Sequence, residues 1–499
     1  MRDLPIALGR LGWRVTVATP SYGSLHRVEG ASRIGSVEAS FGGGVDSVEA
    51  WHVPGTANGV DNLVFDHPLF AAHGEGRIYF GDEPERPFAT DATKFALFCA
   101  AAAAWVAGSE KKPDAVHLHD WHAALYLLFA RFGPDAAALS RIPTVFTIHN
   151  LSYQGLFPKA AFKALELPDA LWSIDGVEFH DKLSFLKGGI ACSDWVTTVS
   201  PTYAQEICTA EFGYGLEGLL QYRAANLTGI LNGMDCAVWN PATDAQLQHT
   251  YDVHTLQHKA LNKAALQEEL GLPVDAGAML LGHIGRLVEQ KGVDLILDTL
   301  DALFTHPVQL VILGDGEELL ESRLREAAAR YPHQLAIYIG YDEPLAHRIE
   351  AGSDCFLMPS RYEPCGLNQM YSLRYGTVPI VHSTGGLADT VIDLNETTAR
   401  DYTATGFTFE PDTPAALLDA CERALAYYQG ARVDWWKLVI TGMKKDFSWS
   451  NSAQQYLSLY QRICDITPEG DAGSGDVEYP RIPPAPLSGK SPSEQSMMR

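Results

Sequence analysis

Long apolar runs, paired cysteines and a leader segment are all missing from this sequence of 499 residues. Its longest mostly apolar stretch, Phe95–Gly108, is shorter than the roughly 20 residues that a membrane-spanning helix needs. No basic-then-apolar signal peptide opens the chain. The eight cysteines contain no Cys-x-x-Cys pair, whereas disulfide scaffolds and zinc clusters show tighter spacing. We therefore expect a protein of the reducing cytoplasm.

Positive charge is also scarce, because the formal net charge is -24. Nucleic acid is a poor partner for such a chain, since phosphate binding needs a cationic surface. The common role of an acidic surface is solubility, and a neutral polysaccharide would be indifferent to it. Where an anionic ligand binds, we expect local arginine and lysine against this overall trend.

Short apolar runs alternate with amphipathic stretches along most of the chain, which predicts βαβ units and parallel sheets. The runs fall into two series, so the α/β chain should form two doubly wound domains with ligands at the carboxyl ends of the strands. We place the domains at 1–240 and 241–450, because Asn240 and Pro241 end an Asn/Gly/Pro-rich stretch. The predicted strands are Trp13–Ala18, Ala115–Leu118, Thr144–His149, Trp195–Val199, Leu227–Leu231, Met279–Ile284, Gln309–Leu313, Leu335–Ile339, Cys355–Met358 and Thr377–Val381.

Two segments depart from this alternation. Residues 31–90 hold three consecutive glycines and only weak alternation, so we expect an insertion of hairpins and loops. In residues 467–499, 15 of the 33 positions are Pro, Gly or Ser. Such a composition buries too little apolar surface to offset its ordering entropy, which predicts a disordered tail.

A histidine-rich segment follows the strand at 115–118. His117, His119 and His122 have zinc-ligand chemistry, but metallohydrolases of the β-lactamase type place an aspartate directly before the third histidine. Here Trp121 occupies that position and Asp120 lies one residue earlier. Zinc therefore remains one alternative, beside a sugar-binding loop and a purely structural histidine cluster.

Two further loops in the first half carry polar residues. His149 and Asn150 end a predicted strand, where they could hydrogen-bond sugar hydroxyls, and Tyr153 could stack on a pyranose face. A second loop, Gly213–Gly218, matches G-x-G-x-x-G letter for letter. That pattern binds dinucleotides only between a strand and a helix. Since the preceding segment looks helical, we do not assign an NAD site.

The second half places charges on successive strand ends. Arg286 and Lys291 lie beside a predicted helix start, which favours a diphosphate site. Glu363 precedes another helix start, where it could act in a site or simply as a cap. Gly385 and Gly386 would let backbone amides approach an anion closely.

These motifs resemble those of the retaining glycogen and starch synthases. The shared patterns are H-x-H-D-W, T-I-H-N-L-x-Y-Q-G, F-G-Y-G-L-x-G-L-L, G-I-L-N-G-M-D-x-x-x-W-N-P, R-x-x-x-Q-K-G, P-S-x-x-E-P-C-G-L and S-T-G-G-L-x-D-T. The resemblance runs from about Leu4 to Cys464. It implies the GT-B fold, in which two Rossmann-like domains face a cleft and a last helix, here residues 451–466, crosses back to the first domain.

The resemblance also implies roles for individual residues. Arg286 and Lys291 would hold the donor diphosphate, Glu363 would bind the glucosyl hydroxyls, His149 would lie against the donor sugar, and Asp120 would orient sugar hydroxyls. The remaining substrate-binding residues would be Asn232, Tyr153, Cys365, Gly366, Leu367, Thr384, Gly385 and Gly386, of which the last three would contact phosphates.

The implied reaction moves glucose from ADP-glucose to the non-reducing end of an α-1,4-glucan such as glycogen, with retention of configuration. No Asp-x-Asp pair of the metal-dependent glycosyltransferases occurs in the sequence, and two cations can stabilise the leaving diphosphate, so we expect no metal and no cofactor. Two alternatives stay open, a catalytically impaired glucan-binding relative and a zinc hydrolase using the three histidines.

The family opens with a strand and a Lys-x-Gly-Gly-Leu-x-Asp loop. Met1–Leu8 matches the helix that follows that loop. We therefore expect an in-frame segment of roughly 20 residues upstream of Met1, the length of one strand with its loop.

Overall fold

The computed structural model describes residues 2–55, 57–72, 74–79 and 91–465. The tail predicted at 467–499 lies outside the described residues. Within them, strands and helices alternate in two series, and each of the ten predicted strands is present, with ends shifted by at most two residues. No helix in the described ranges is long and apolar enough to cross a membrane.

The first half holds two four-stranded sheets and one small three-stranded sheet, with orders β1-β4-β3-β2, β11-β10-β6-β5 and β7-β9-β8. The second of these is parallel throughout, and β6 is buried along its whole length. The strands are β1 Val15–Pro20, β2 Ser32–Phe41, β3 Gly44–Pro54, β4 Val60–Asp66, β5 Val116–His119, β6 Thr144–Ile148, β7 Leu156–Pro158, β8 Glu178–Phe179, β9 Lys182–Ser184, β10 Trp195–Thr198 and β11 Leu227–Gly229.

The segment predicted as an inserted set of hairpins does form antiparallel pairs, β2 with β3 and β3 with β4. It is not a separate insertion, however, because β4 pairs in parallel with all of β1, from Val15 opposite Val60 to Pro20 opposite Phe65. The hairpins therefore extend the sheet that β1 begins. The sequence pattern did not reveal this pairing, because three consecutive residues near the end of β4 are buried and interrupt the apolar–polar alternation.

The second half is one six-stranded parallel sheet with the order β14-β13-β12-β15-β16-β17. Apolar clusters cover both of its faces, as expected for a parallel sheet whose strands are near-continuous apolar runs. Its strands are β12 Met279–Ile284, β13 Val308–Gly314, β14 Leu335–Ile339, β15 Cys355–Met358, β16 Val378–His382 and β17 Phe407–Phe409.

Helices flank the sheets and connect the parallel strands. They are α1 Asp3–Arg10, α2 Asp91–Gly108, α3 Asp120–Phe132, α4 Ala136–Leu139, α5 Lys159–Lys163, α6 Phe185–Cys192, α7 Pro201–Glu206, α8 Glu217–Tyr222, α9 Gln257–Glu269, α10 Val293–Leu303, α11 Glu318–Arg330, α12 Glu343–Gly352, α13 Asn368–Tyr375, α14 Gly385–Thr390, α15 Glu396–Arg400, α16 Pro414–Gly430, α17 Arg432–Met443 and α18 Trp449–Asp465.

The last helix, α18, returns to the first half. Its buried face, which includes Tyr456 and Tyr460, shares one apolar cluster with Leu4 and Leu8 of α1 and with Trp195 of β10. The contact ties the end of the chain to the half that precedes the predicted boundary at 240. The boundary itself stays a prediction.

Candidate functional site at the strand ends

Asp120 and His149 meet at the carboxyl ends of β5 and β6. Oδ1 of Asp120 accepts a hydrogen bond of 2.7 Å from the backbone N–H of His149. Asp120 has φ +57°, a left-handed conformation that costs a non-glycine residue about 1–2 kcal/mol. Such strain is typical of functional sites, and here it turns the first residue of α3 towards the neighbouring strand end.

Burial sets the charge states of this pair. It raises the pKa of Asp120, while His149 and the backbone N–H groups of His149 and Asn150 act in the opposite direction. Burial also lowers the pKa of His149, which favours a neutral imidazole at neutral pH. The imidazole lies 3.1 Å from His119, Nε2 to Nδ1. A carboxylate and a neutral imidazole suit hydrogen bonding to hydroxyl groups better than anion binding.

The geometry does not favour the zinc alternative for His117, His119 and His122, because their rings have different partners. His117 bonds the hydroxyls of Thr147 and Tyr460, each at 2.6 Å, and His122 bonds the hydroxyl of Tyr79 at 2.7 Å. Burial lowers the pKa of His117 to about 3 and that of His122 to about 4. Among the described residues, no group of three or more potential ligands is arranged to hold a metal ion.

In the second half, two loops are held together beside the carboxyl ends of β12 and β15. The backbone N–H of Arg361 donates to the carbonyl of Gln290 at 2.9 Å, and the Gln290 side chain donates to the carbonyl of Tyr362 at 3.2 Å. Gly292 has φ +69°, and a Cβ there would lie 2.1 Å from the Pro359 carbonyl oxygen. Glycine at this position therefore allows the close approach that brings Lys291 to Glu363.

Lys291 and Glu363 form an ion pair, Nζ to Oε2. The same oxygen of Glu363 accepts a hydrogen bond of 3.1 Å from Ser360 Oγ, and Glu363 is only 6% exposed. Both charged side chains line a cavity of about 270 Å³, together with Gly366 and Leu367. These two residues directly precede α13, so the cavity opens on a helix start, which favours an anionic group.

His283 lines the same cavity and was not predicted as a site residue. Its Nδ1 lies 2.9 Å from the Leu357 carbonyl and so carries the proton. Nε2 is buried and has no hydrogen-bond partner among the described residues. Burial lowers the pKa of His283 to about 4, so the ring is neutral at neutral pH. A neutral Nε2 can accept a hydrogen bond from a ligand hydroxyl but cannot donate one to a phosphate.

Thr384, Gly385 and Gly386, the residues predicted to contact phosphates, donate to protein acceptors, and their phosphate contacts stay a prediction. The N–H of Gly385 donates to Glu206 Oε1 at 2.8 Å, as does the Thr384 hydroxyl at 3.0 Å. The N–H of Gly386 donates to the Glu363 carbonyl at 3.0 Å. These donors therefore have protein acceptors on two sides, because α14 packs on α7 and on the loop that carries Glu363. Arg286, by contrast, is exposed and bonds the Gln290 side chain at 3.2 Å.

The two halves of the site meet at Cys365 and at two tyrosines. Burial raises the pKa of Cys365 to about 12, while the backbone N–H of Asn232, from the first half, acts in the opposite direction. The ring of Tyr214 in the glycine-rich loop lies 6.0 Å from that of Tyr362, edge to face. Asn232 and Glu363 thus belong to one region, and Tyr153, 44% exposed, lies on the loop that follows His149.

Known proteins match the chain over nearly its whole length. The profile of the starch synthase catalytic domain matches residues 1–222, and that of glycosyl transferases group 1 matches residues 271–456. Glycogen synthase 2 of Nitrosococcus oceani is 45% identical over 467 residues, which cover 92% of each chain. Glycogen synthase of Thioalkalivibrio sulfidiphilus is 47% identical over 469 residues, which cover 92% of this chain and 95% of that protein.

Two solved structures also resemble the chain over most of its length. The catalytic domain of starch synthase IV from Arabidopsis thaliana, bound to ADP and acarbose, superposes with a TM-score of 0.83 at 35% identity, covering 93% of this chain and 95% of that one. Sucrose-phosphate synthase from Thermosynechococcus elongatus superposes with a TM-score of 0.54 at 17% identity, covering 92% and 91%. This second likeness shows the shared GT-B fold alone.

Proposed function

This chain belongs to the glycogen and starch synthase family of glycosyltransferases, and from that membership we propose that it transfers glucose from ADP-glucose to the non-reducing end of an α-1,4-glucan, with retention and without a metal ion. The observation that carries the proposal is the Lys291–Glu363 pair in a cavity that opens on the start of α13. The pair supports the proposal because a cation suits the diphosphate of the donor and a carboxylate suits its sugar hydroxyls.

In the proposed reaction, the bond between C1 of glucose and the diphosphate oxygen breaks, and positive charge develops on the sugar. The 4-hydroxyl of the glucan attacks C1 on the same face, and its proton passes to the departing phosphate oxygen. Lys291 and Arg286 stabilise the negative charge of the leaving group. Glu363 hydrogen-bonds the glucosyl hydroxyls and stabilises the positive charge.

The first half supplies the other side of the cleft. Asp120 orients sugar hydroxyls, and its bond to the backbone of His149 fixes the strand end that lies against the donor sugar. Asn232, Cys365, Gly366 and Leu367 line the region around the glucosyl group. Tyr153, exposed on its loop, offers a face on which an acceptor glucose can stack. The free cysteines suit the reducing environment of a cytoplasmic enzyme.

We expect transfer from ADP-glucose to glycogen to retain its full rate after EDTA treatment. The physical reason is that Lys291 and Arg286 supply the leaving-group charge that Mg²⁺ supplies in other glycosyltransferases. The measurement is incorporation of labelled glucose into glycogen by the full-length protein with and without EDTA. Loss of activity in EDTA that zinc or magnesium restores would contradict metal-free catalysis.

We also expect His283→Phe to raise the KM for ADP-glucose by about 2–10-fold with little change in kcat. Phenylalanine removes the Nε2 acceptor, and one neutral hydrogen bond contributes about 0.5–1.5 kcal/mol. It also removes the Nδ1–H donor to the Leu357 carbonyl, so the melting temperature is recorded alongside the KM. The control is His306→Phe, which removes an exposed imidazole that pairs with Glu422 at 3.1 Å. An unchanged donor KM in the His283 variant would show that its Nε2 does not meet the donor.

A further inference from the structure

Two short helices from opposite halves lie side by side at the cleft. Helix α7 follows β10 in the first half, and α14 follows β16 in the second. Each helix carries a carboxylate near its end, Glu206 on α7 and Asp389 on α14. Each carboxylate reaches the start of the other helix. The four backbone N–H groups at a helix start lack partners within the helix, and negative charge is favoured there.

Asp389 caps α7 with three hydrogen bonds. Its Oδ2 accepts from Ser200 Oγ at 2.5 Å and from the backbone N–H of Thr202 at 3.0 Å. Its Oδ1 accepts from Thr202 Oγ1 at 2.6 Å. Ser200 is fully buried and also accepts from the backbone N–H of Tyr203 at 2.9 Å. A residue of the second half thus completes the cap of a helix in the first.

Glu206 makes the reciprocal contact. Its Oε1 accepts from the backbone N–H of Gly385 at 2.8 Å and from the hydroxyl of Thr384 at 3.0 Å, and Thr384 is 2% exposed. Hydrogen bonds to an ionised acceptor are roughly twice as strong as neutral ones. The two carboxylates therefore hold the halves together by five charge-assisted bonds at one place, which we call the reciprocal cap.

The reciprocal cap is connected directly to Glu363. The N–H of Gly386 donates to the Glu363 carbonyl at 3.0 Å. A Cβ at 385 would lie 2.1 Å from that carbonyl oxygen, and a Cβ at 386 would lie 2.0 Å from the carbonyl oxygen of Cys365. Only glycines allow α14 to pack this closely. The start of α14 therefore fixes the loop of Glu363, and Glu206 fixes the start of α14.

We propose that Glu206 and Asp389 are positioning residues that align the Glu363 loop of the second half with the Asp120–His149 strand ends of the first. The proposal rests on the proposed function, because it assigns a task within that reaction. Neither Glu206 nor Asp389 is among the described residues that line the cavity of Lys291 and Glu363. They act on catalysis through the geometry of the two half-sites, where a displacement of about 1 Å costs up to about 10²-fold in rate.

The test compares Glu206→Ala, Asp389→Ala and the double variant with the wild type. We expect each single variant to lower kcat by about 10–100-fold, with a smaller change in the KM for ADP-glucose, because the donor cavity lies within the second half. The double variant should lose less than the product of the single losses, since both bonds close the same interface. Glu206→Gln keeps an acceptor oxygen at the start of α14 and should recover most of the rate.

A matched control removes a carboxylate that stays within the second half. Asp298 pairs with Arg323 at 2.7 Å on the surface, so Asp298→Ala should leave kcat unchanged. Hydrogen–deuterium exchange at the backbone N–H groups of Thr202 and Gly385 provides a readout independent of activity. Both should exchange faster in the alanine variants and at the wild-type rate in Asp298→Ala.

Three outcomes overturn the inference. They are alanine variants with wild-type kcat, a Glu206→Gln variant as slow as Glu206→Ala, and single losses that multiply in the double variant. If the wild type itself transfers no glucose, the proposed function fails instead. Exchange at Thr202 and Gly385 then still decides whether the reciprocal cap joins the halves, since unchanged exchange would contradict it.

Discussion

Replacing Glu363 by glutamine lowers kcat for glucosyl transfer by about 10²–10³-fold, the usual loss when one preorganised charged group is removed from a transition state. Glutamine keeps the shape and an acceptor for Ser360, so the loop is retained. It removes the negative charge that faces Lys291, which in the proposed reaction stabilises the developing positive charge on the sugar. The measurement is kcat at saturating ADP-glucose and glycogen, with the melting temperature recorded alongside.

The control is Glu422→Gln, which removes an exposed carboxylate far along the chain in α16. It should keep the wild-type rate. Because the proposed role of Glu363 is to bind the sugar and not the nucleotide, inhibition by ADP should not weaken in Glu363→Gln. A near-wild-type kcat with an intact fold would remove Glu363 from the reaction.

Replacing Lys291 by alanine should cause a loss of similar size, about 10²–10³-fold in kcat. This variant removes the cation that stabilises the leaving diphosphate, and it leaves Glu363, which is 6% exposed, without its charged partner. The distinguishing measurement is product inhibition. The inhibition constant of ADP should rise in Lys291→Ala, whereas it should not rise in Glu363→Gln.

Lys437→Ala is the matched control, since Lys437 pairs with Asp434 on the surface at 2.8 Å. Its rate and its ADP inhibition should equal those of the wild type. Because Lys291 and Glu363 contact each other, their losses should not multiply in the double variant. ADP inhibition that is unchanged in Lys291→Ala would place the diphosphate elsewhere.

The sequence predicts the second sheet well because its inner strands β12, β13 and β15 are almost wholly buried. Met279–Ile284, Leu335–Ile339 and Cys355–Met358 have the predicted bounds, since each is a short apolar run flanked by turn residues. The polar residues after those runs had to meet at one edge of the sheet. Lys291 and Glu363, 72 residues apart, were predictable neighbours for that reason.

Side-chain direction was not predictable in the same way. His117, His119 and His122 share six residues of sequence, yet their rings have different partners, which depend on Thr147, Tyr460 and Tyr79. The packed positions of β6, of α18 and of Tyr79 decide those contacts.

The hydrogen bonds of the reciprocal cap could not be predicted from the sequence either. Asp389 lies 189 residues from Ser200, and nothing local marks either as a partner. Gly385 and Gly386 did signal close backbone approach, and within the protein the approaching group is the loop of Glu363 and Cys365. The sequence did mark Asp389 as a residue of interest, because it follows the glycine pair in a motif shared with the glycogen and starch synthases.

The most direct test of glucan synthesis follows labelled glucose from ADP-glucose into glycogen, with the full-length protein and no added divalent cation. The labelled polymer is then digested with β-amylase, which releases maltose from non-reducing α-1,4-linked ends. Label recovered as maltose, in an amount equal to the ADP formed, is the result expected for retaining transfer to the chain end. ADP formed together with free glucose, or label that β-amylase does not release, would contradict it.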